Sequence, residues 1–81
     1  MNANAVENFC EAMFDVFDVS VSYSSVTALG TDFFKGLYEM LKQERLAEAC
    51  DAIASSFDMF ADEDALFMDL EEFRSAVKGL I

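Results

Sequence analysis

The chain has no histidine, no tryptophan and no proline, and only 5 of its 81 residues are Lys or Arg. Without imidazole, neither histidine acid–base catalysis nor histidine metal ligation is available. So few cations cannot build the patch that holds a phosphate backbone or an anionic membrane, so direct nucleic-acid and membrane binding are excluded. Cysteine is scarce too. Cys10 and Cys50 are the only two, and both fall on apolar positions of helical patterns. They read as reduced, buried, small side chains rather than as a disulfide scaffold. A thiol with no neighbouring base is a poor nucleophile. No apolar run is long enough to span a bilayer, and the opening residues lack the basic and apolar regions of a secretory signal. We therefore expect a cytoplasmic protein.

What the chain does have is apolar mass and negative charge. Hydrophobic residues make up 54%, with nine Phe, two Tyr and five Met, which excludes a disordered tail. We read residues 1–81 as one small acidic helical domain. A chain of this size hides only about 60% of its unfolded surface, so it needs a rich core. Sixteen Asp and Glu against five Lys and Arg give a formal net charge of −11.

Helical periodicity dominates the pattern. Asn4 and Glu7 have the form of a capping box, and Val6, Phe9, Cys10, Met13, Phe14 and Phe17 then recur at three- and four-residue steps, predicting a helix over 4–17. Val19, Val21 and Tyr23 alternate with serines, the period of a short extended segment. The stretch up to Gly30 reads as a loop or a single helical turn. Thr31 is a good N-cap, and Phe33, Phe34, Leu37, Tyr38 and Leu41 predict a second helix over 32–43, in which Gly36 suggests close approach of a neighbour. A turn is expected at Lys42–Arg45. Leu46, Ala49, Cys50, Ile53, Phe57 and Phe60 define a third helix over 45–60. Asp69 and Glu72 form another capping box, followed by Leu70, Phe73, Val77 and Leu80 in a fourth helix. The expected fold is all-α: a compact four-helix domain of two helix-loop-helix units, with short extended pieces allowed for near 19–23 and 65–68.

Residues 57–73 resemble an EF-hand. With Glu72 at the twelfth loop position, Phe57 and Phe60 take the apolar positions before the loop, Met68 the apolar eighth position, and Phe73 the position after it. The ligands depart from the pattern: Ala61 and Ala65 stand where oxygens are required, and Leu66 where the loop needs Gly. Phe14, Phe17, Asp18, Ser20 and Ser22 give a weaker echo of such a loop, with Leu29 where its closing Glu belongs. The resemblance implies a degenerate helix-loop-helix module for protein–protein interaction that does not bind calcium.

The acids fall in rows. Glu7, Glu11, Asp15 and Asp18 share one face of the first helix, neighbouring carboxylates lying roughly 5–6 Å apart. Glu44, Glu48, Asp51, Asp58 and Asp62 line the third. Residues 58–72 hold seven acids and no base (Asp58, Asp62, Glu63, Asp64, Asp69, Glu71 and Glu72), and no Lys or Arg precedes Lys35. Like charges at the four-residue step cost a helix about 0.2–0.5 kcal/mol per pair, so the rows work against helix stability. Solubility is one reason to keep them; a cationic partner is the other.

In size, acidity and helical pattern the chain resembles the nucleic-acid mimics made by bacteriophages, among them the anti-CRISPR proteins. That resemblance implies a non-enzymatic inhibitor whose carboxylate rows occupy a Lys/Arg-lined groove of a basic nucleic-acid-binding protein, such as a CRISPR effector. The residues assigned to partner binding are Glu7, Glu11, Asp15, Asp18, Glu48, Asp51, Asp58, Asp62, Glu63, Asp64, Asp69, Glu71 and Glu72. No catalytic residue, metal ligand or cofactor is expected, because a small Phe-filled core leaves little room for a dry pocket. We assign the Phe and Met side chains to the core, while so apolar a chain leaves a homodimer open.

Overall fold

A computed structural model describes residues 1–81 as five α-helices and no strand: α1 (Ala3–Phe17), α2 (Tyr23–Lys42), α3 (Leu46–Phe57), α4 (Glu63–Met68) and α5 (Leu70–Lys78). The all-α expectation stands, with one helix more than predicted. The addition is α4. It occupies residues 65–68, for which extended backbone was allowed, and it fills the middle of the segment that resembles an EF-hand loop. Charge density hid it: Asp62–Asp64 cannot be buried, yet acids are favoured in the first turn of a helix. The Asp62 carboxylate accepts from the Asp64 amide at 3.2 Å and starts the helix.

The extended segment near 19–23 is also corrected. A lone strand has no ladder partner, so its amides and carbonyls stay unpaired. Instead, Ser22 takes extended angles only as the N-cap of α2, its Oγ accepting from the Ser25 amide at 3.1 Å. The serines in the alternation are capping residues. Thr31 does not open a new helix cleanly. The chain is helical on both sides of Gly30, whose φ of 81° and ψ of 167° break α2, a conformation that glycine alone adopts readily. Gly36 serves no close approach, because it is exposed and a Cβ there would meet nothing within 4 Å.

Two caps shift as well. α1 starts one step earlier than predicted: Asn2, not Asn4, caps it, accepting from the Asn4 and Ala5 amides at 2.8 and 3.3 Å. The capping box at Asp69 does not form. Asp69 ends α4 and begins α5 at once, and its φ of −121° and ψ of 31° are not the extended angles of an N-cap, so its side chain makes no capping bond. The turn after α2 lies where expected. Glu44 is left-handed there, with a φ of 55°, and the Arg45 amide donates back to the Met40 carbonyl at 2.8 Å.

One core joins all five helices. Seventeen residues are buried, every one apolar, and no polar or charged residue joins them. Phe9 is the hub. Its ring lies 5.1 Å from Phe34, edge-on, 5.6 Å from Phe73 and 6.0 Å from Phe57, separations at which aromatic pairs attract beyond area burial alone. α1 packs on α2, α4 and α5, and α3 packs on α2 and α4, while α1 and α3 meet only through side chains such as the Phe9 and Phe57 rings. The termini of the chain are thereby brought together: α5 closes the fold against α1 and α2.

Candidate functional site

All thirteen carboxylates assigned to partner binding are exposed. The reason is plainest in α1. Val6, Phe9, Ala12, Met13 and Val16 are buried at three- and four-residue steps, so Glu7, Glu11 and Asp15 fall on the opposite side of the cylinder. Asp18 follows at the C-cap in left-handed conformation, its amide donating to the Phe14 carbonyl at 2.8 Å.

Several acids have a local task. Asp62 caps α4; Glu63 and Asp64 sit in its first turn. Glu48 occupies the first turn of α3, and Glu71 and Glu72 that of α5, where the helix dipole favours negative charge. Asp18 and Asp58 end helices at left-handed angles, which Asp tolerates better than most residues. Glu7, Glu11 and Asp15 have no such task. They lie beyond the first turn of α1, which holds no acid, and no basic residue stands in its last turn.

The fold gathers the acids into two groups. Along the α1–α5 seam, Glu11, Asp15 and Glu72 line an open cleft of about 270 Å³, with Asn8 and Ser75 beside them. Glu72 is pushed above its ordinary carboxyl range, first by a hydrogen bond shared with Asp15, then by partial desolvation and by the negative charge of Asp15 and Asp69. The α1 row therefore continues across the seam onto α5. The second group lies where α3 meets α4. There burial, together with the charges of Glu63, Asp51 and Asp62, pushes the Cys50 thiol up to about 11.

Two of the assigned carboxylates are neutralised locally. Glu48 pairs with Arg45 and Glu71 with Arg74. Glu39 pairs with Lys42 at 3.2 Å. No other Asp or Glu side chain has an ion-pair partner, and Lys35 and Lys78 pair with none. Arg74 and Lys78 line a small cleft with Tyr38, and Lys42 lies 5.8 Å from the centre of the Tyr38 ring. Three of the five cations, Lys42, Arg74 and Lys78, thus gather around Tyr38 where α2 meets α5. No three acidic or cysteine side chains are arranged to hold a metal ion.

The core assignment of the Phe and Met side chains fails at Phe60, Phe67 and Met68. All three are outside: Phe60 and Met68 are each 82% exposed and Phe67 63%. Phe60 lies in the α3–α4 connection because α3 stops at Phe57 rather than at residue 60. Leu66 is buried, and one-turn geometry rotates the next two residues about 100° and 200° away from it, toward solvent. Phe14, expected on the buried side of α1, is 54% exposed and lines a second open cleft with Cys10 and Val21. Cys10 is only half-buried, and both cysteines are free. Comparison with known protein families, curated proteins and solved structures found no match to this chain.

Proposed function

We propose that this protein is a non-enzymatic inhibitor that occupies the basic, nucleic-acid-handling surface of another protein, as the phage-made nucleic-acid mimics do, with a CRISPR effector as one such target. The observation that carries this reading is the α1 row. Glu7, Glu11 and Asp15 stand outward with no ion-pair partner and no capping role, and Asp15 meets Glu72 across the seam. Folding does not ask for that arrangement, since like charges brought together weaken it. A groove lined with Lys and Arg rewards it, because the attraction is long-ranged and speeds encounter.

The row of α1 and its continuation at Glu72 are the principal contact. Asp51, Asp62 and Glu63 extend the negative field on the α3–α4 side. Glu48 and Glu71 contribute little, each being paired with an arginine.

The test is displacement of labelled duplex DNA from purified CRISPR effectors and other basic nucleic-acid-handling proteins. The protein should displace DNA at about 50 mM salt and far less at about 200 mM. The variant with Glu7→Lys, Glu11→Lys and Asp15→Lys should keep its helical circular dichroism and lose displacement. Equal displacement by that variant, or none by the native chain across the panel, rejects the reading.

A further inference from the structure

We propose that Phe60, Phe67 and Met68 form an apolar anchor for a cationic, amphipathic segment of a partner protein. Exposed single apolar residues are ordinary on any surface. Three large ones within nine residues of chain, at the two ends of a helix about 9 Å long, are not explained by solubility or by folding. The core is complete without them: every helix contributes buried residues and none of these three is among them.

The charge around the cluster decides what can cover it. Asp58, Asp62, Glu63, Asp64 and Asp69 fall between or beside the three side chains in the sequence, and no base occurs from Leu46 to Phe73. All five are exposed and none is ion-paired. A second copy docking through the same cluster would set these carboxylates against each other, on chains that each carry a formal charge of −11. An anionic membrane is repelled in the same way. What fits is a segment with an apolar stripe flanked by Lys and Arg, whose side chains meet the carboxylate rim while its stripe covers Phe60 and Met68. Aromatic and thioether side chains suit such a contact: the one supplies large rigid area, the other adapts its shape.

The proposal rests on the functional reading above only in requiring a cationic partner; it adds a second contact of different chemistry. Its test uses the full chain and two synthetic probes: a Lys/Leu amphipathic peptide of about eighteen residues, five turns of helix, and an oligolysine of equal charge. Binding is followed by fluorescence anisotropy. The native chain should bind the Lys/Leu peptide on the order of tenfold more tightly than oligolysine, the scale of a central apolar hot spot. The variant with Phe60→Ser and Met68→Ser should lose that margin and bind oligolysine unchanged. Phe14→Ser, which removes an exposed ring elsewhere, should leave the margin intact. Retention of the margin by the Phe60/Met68 variant overturns the proposal, as does equal loss in Phe14→Ser. Self-association of the native chain that vanishes in the Phe60/Met68 variant also overturns it, in favour of a second copy. The lysine variant of Glu7, Glu11 and Asp15 separates the two ideas: it should weaken both probes alike. If it changes neither while the apolar margin persists, the α1 reading fails and the anchor stands.

Discussion

Phe9 and Phe60 are the same side chain in opposite circumstances. Phe9 is wholly buried, with three aromatic neighbours within 6.0 Å. Phe60 is 82% exposed and flanked in sequence by acids. Hydrophobicity alone does not separate them; the end of a helix does. α3 terminates where Asp58 turns left-handed, and the Met59 amide closes the end by donating to the Ala54 carbonyl at 3.1 Å. From there the apolar period no longer points inward. The interior rings account for why the chain folds. The exterior ones, with the unpaired carboxylates, are what folding leaves unexplained, and function is best sought among such residues.

The largest test of that division lies inside. Phe9→Ala should cost about 3–5 kcal/mol, through lost transfer energy and the cavity left among Phe34, Phe57 and Phe73. Urea unfolding reads it, and a loss under about 1 kcal/mol, the ordinary effect of a point change, would show that the aromatic hub is not what holds the helices together. A smaller effect is expected at the α1–α5 seam. Glu72 keeps its proton to higher pH in the folded chain than an ordinary carboxyl does, so the folded state binds the proton more tightly than the unfolded one. Stability contributed at this site is then full below the unfolded pKa and falls as pH rises through the folded one. Glu72→Gln should raise the melting temperature at neutral pH, and the gain should fade below about pH 4, where the native carboxyl is also protonated. A gain that persists there would point to packing instead. The smallest effect belongs to the outer ring. Phe60→Ser should change stability by no more than about 0.5 kcal/mol; a drop of several times that would place Phe60 in the fold after all.

Much of this architecture can be read from the chain itself. Val6, Phe9 and Met13 announce the buried side of α1 by spacing, and the acids at Glu7, Glu11 and Asp15 then have to face outward; both hold in the structure. The sequence was misleading where local chemistry had two uses. The serines near residue 22 fit either an alternating strand or a cap, and only the lack of a second strand decides it. The acids at 62–64 fit either a solvated loop or a first helical turn, which is why α4 went unseen. Phe14 was drawn into a stripe wider than the neighbours of α1 can cover. The seam between Asp15 and Glu72 joins residues far apart in the chain, and no spacing rule reaches across that distance; it depends on α5 closing against α1. The outer cluster was invisible because a single sequence gives every large apolar residue the same presumption of burial.

The two unpaired thiols carry a consequence of their own. Thiolate, not thiol, attacks oxidants and disulfides, and burial holds Cys50 at about 11 while burial and Glu7 together hold Cys10 above its usual value. Neither sulfur is joined to anything, so no covalent bond has to form before the helices can meet, and none can be cut to release them. Glutathione poise is therefore irrelevant to the shape of this molecule: it should fold and melt identically in a reducing buffer and in an aerated one.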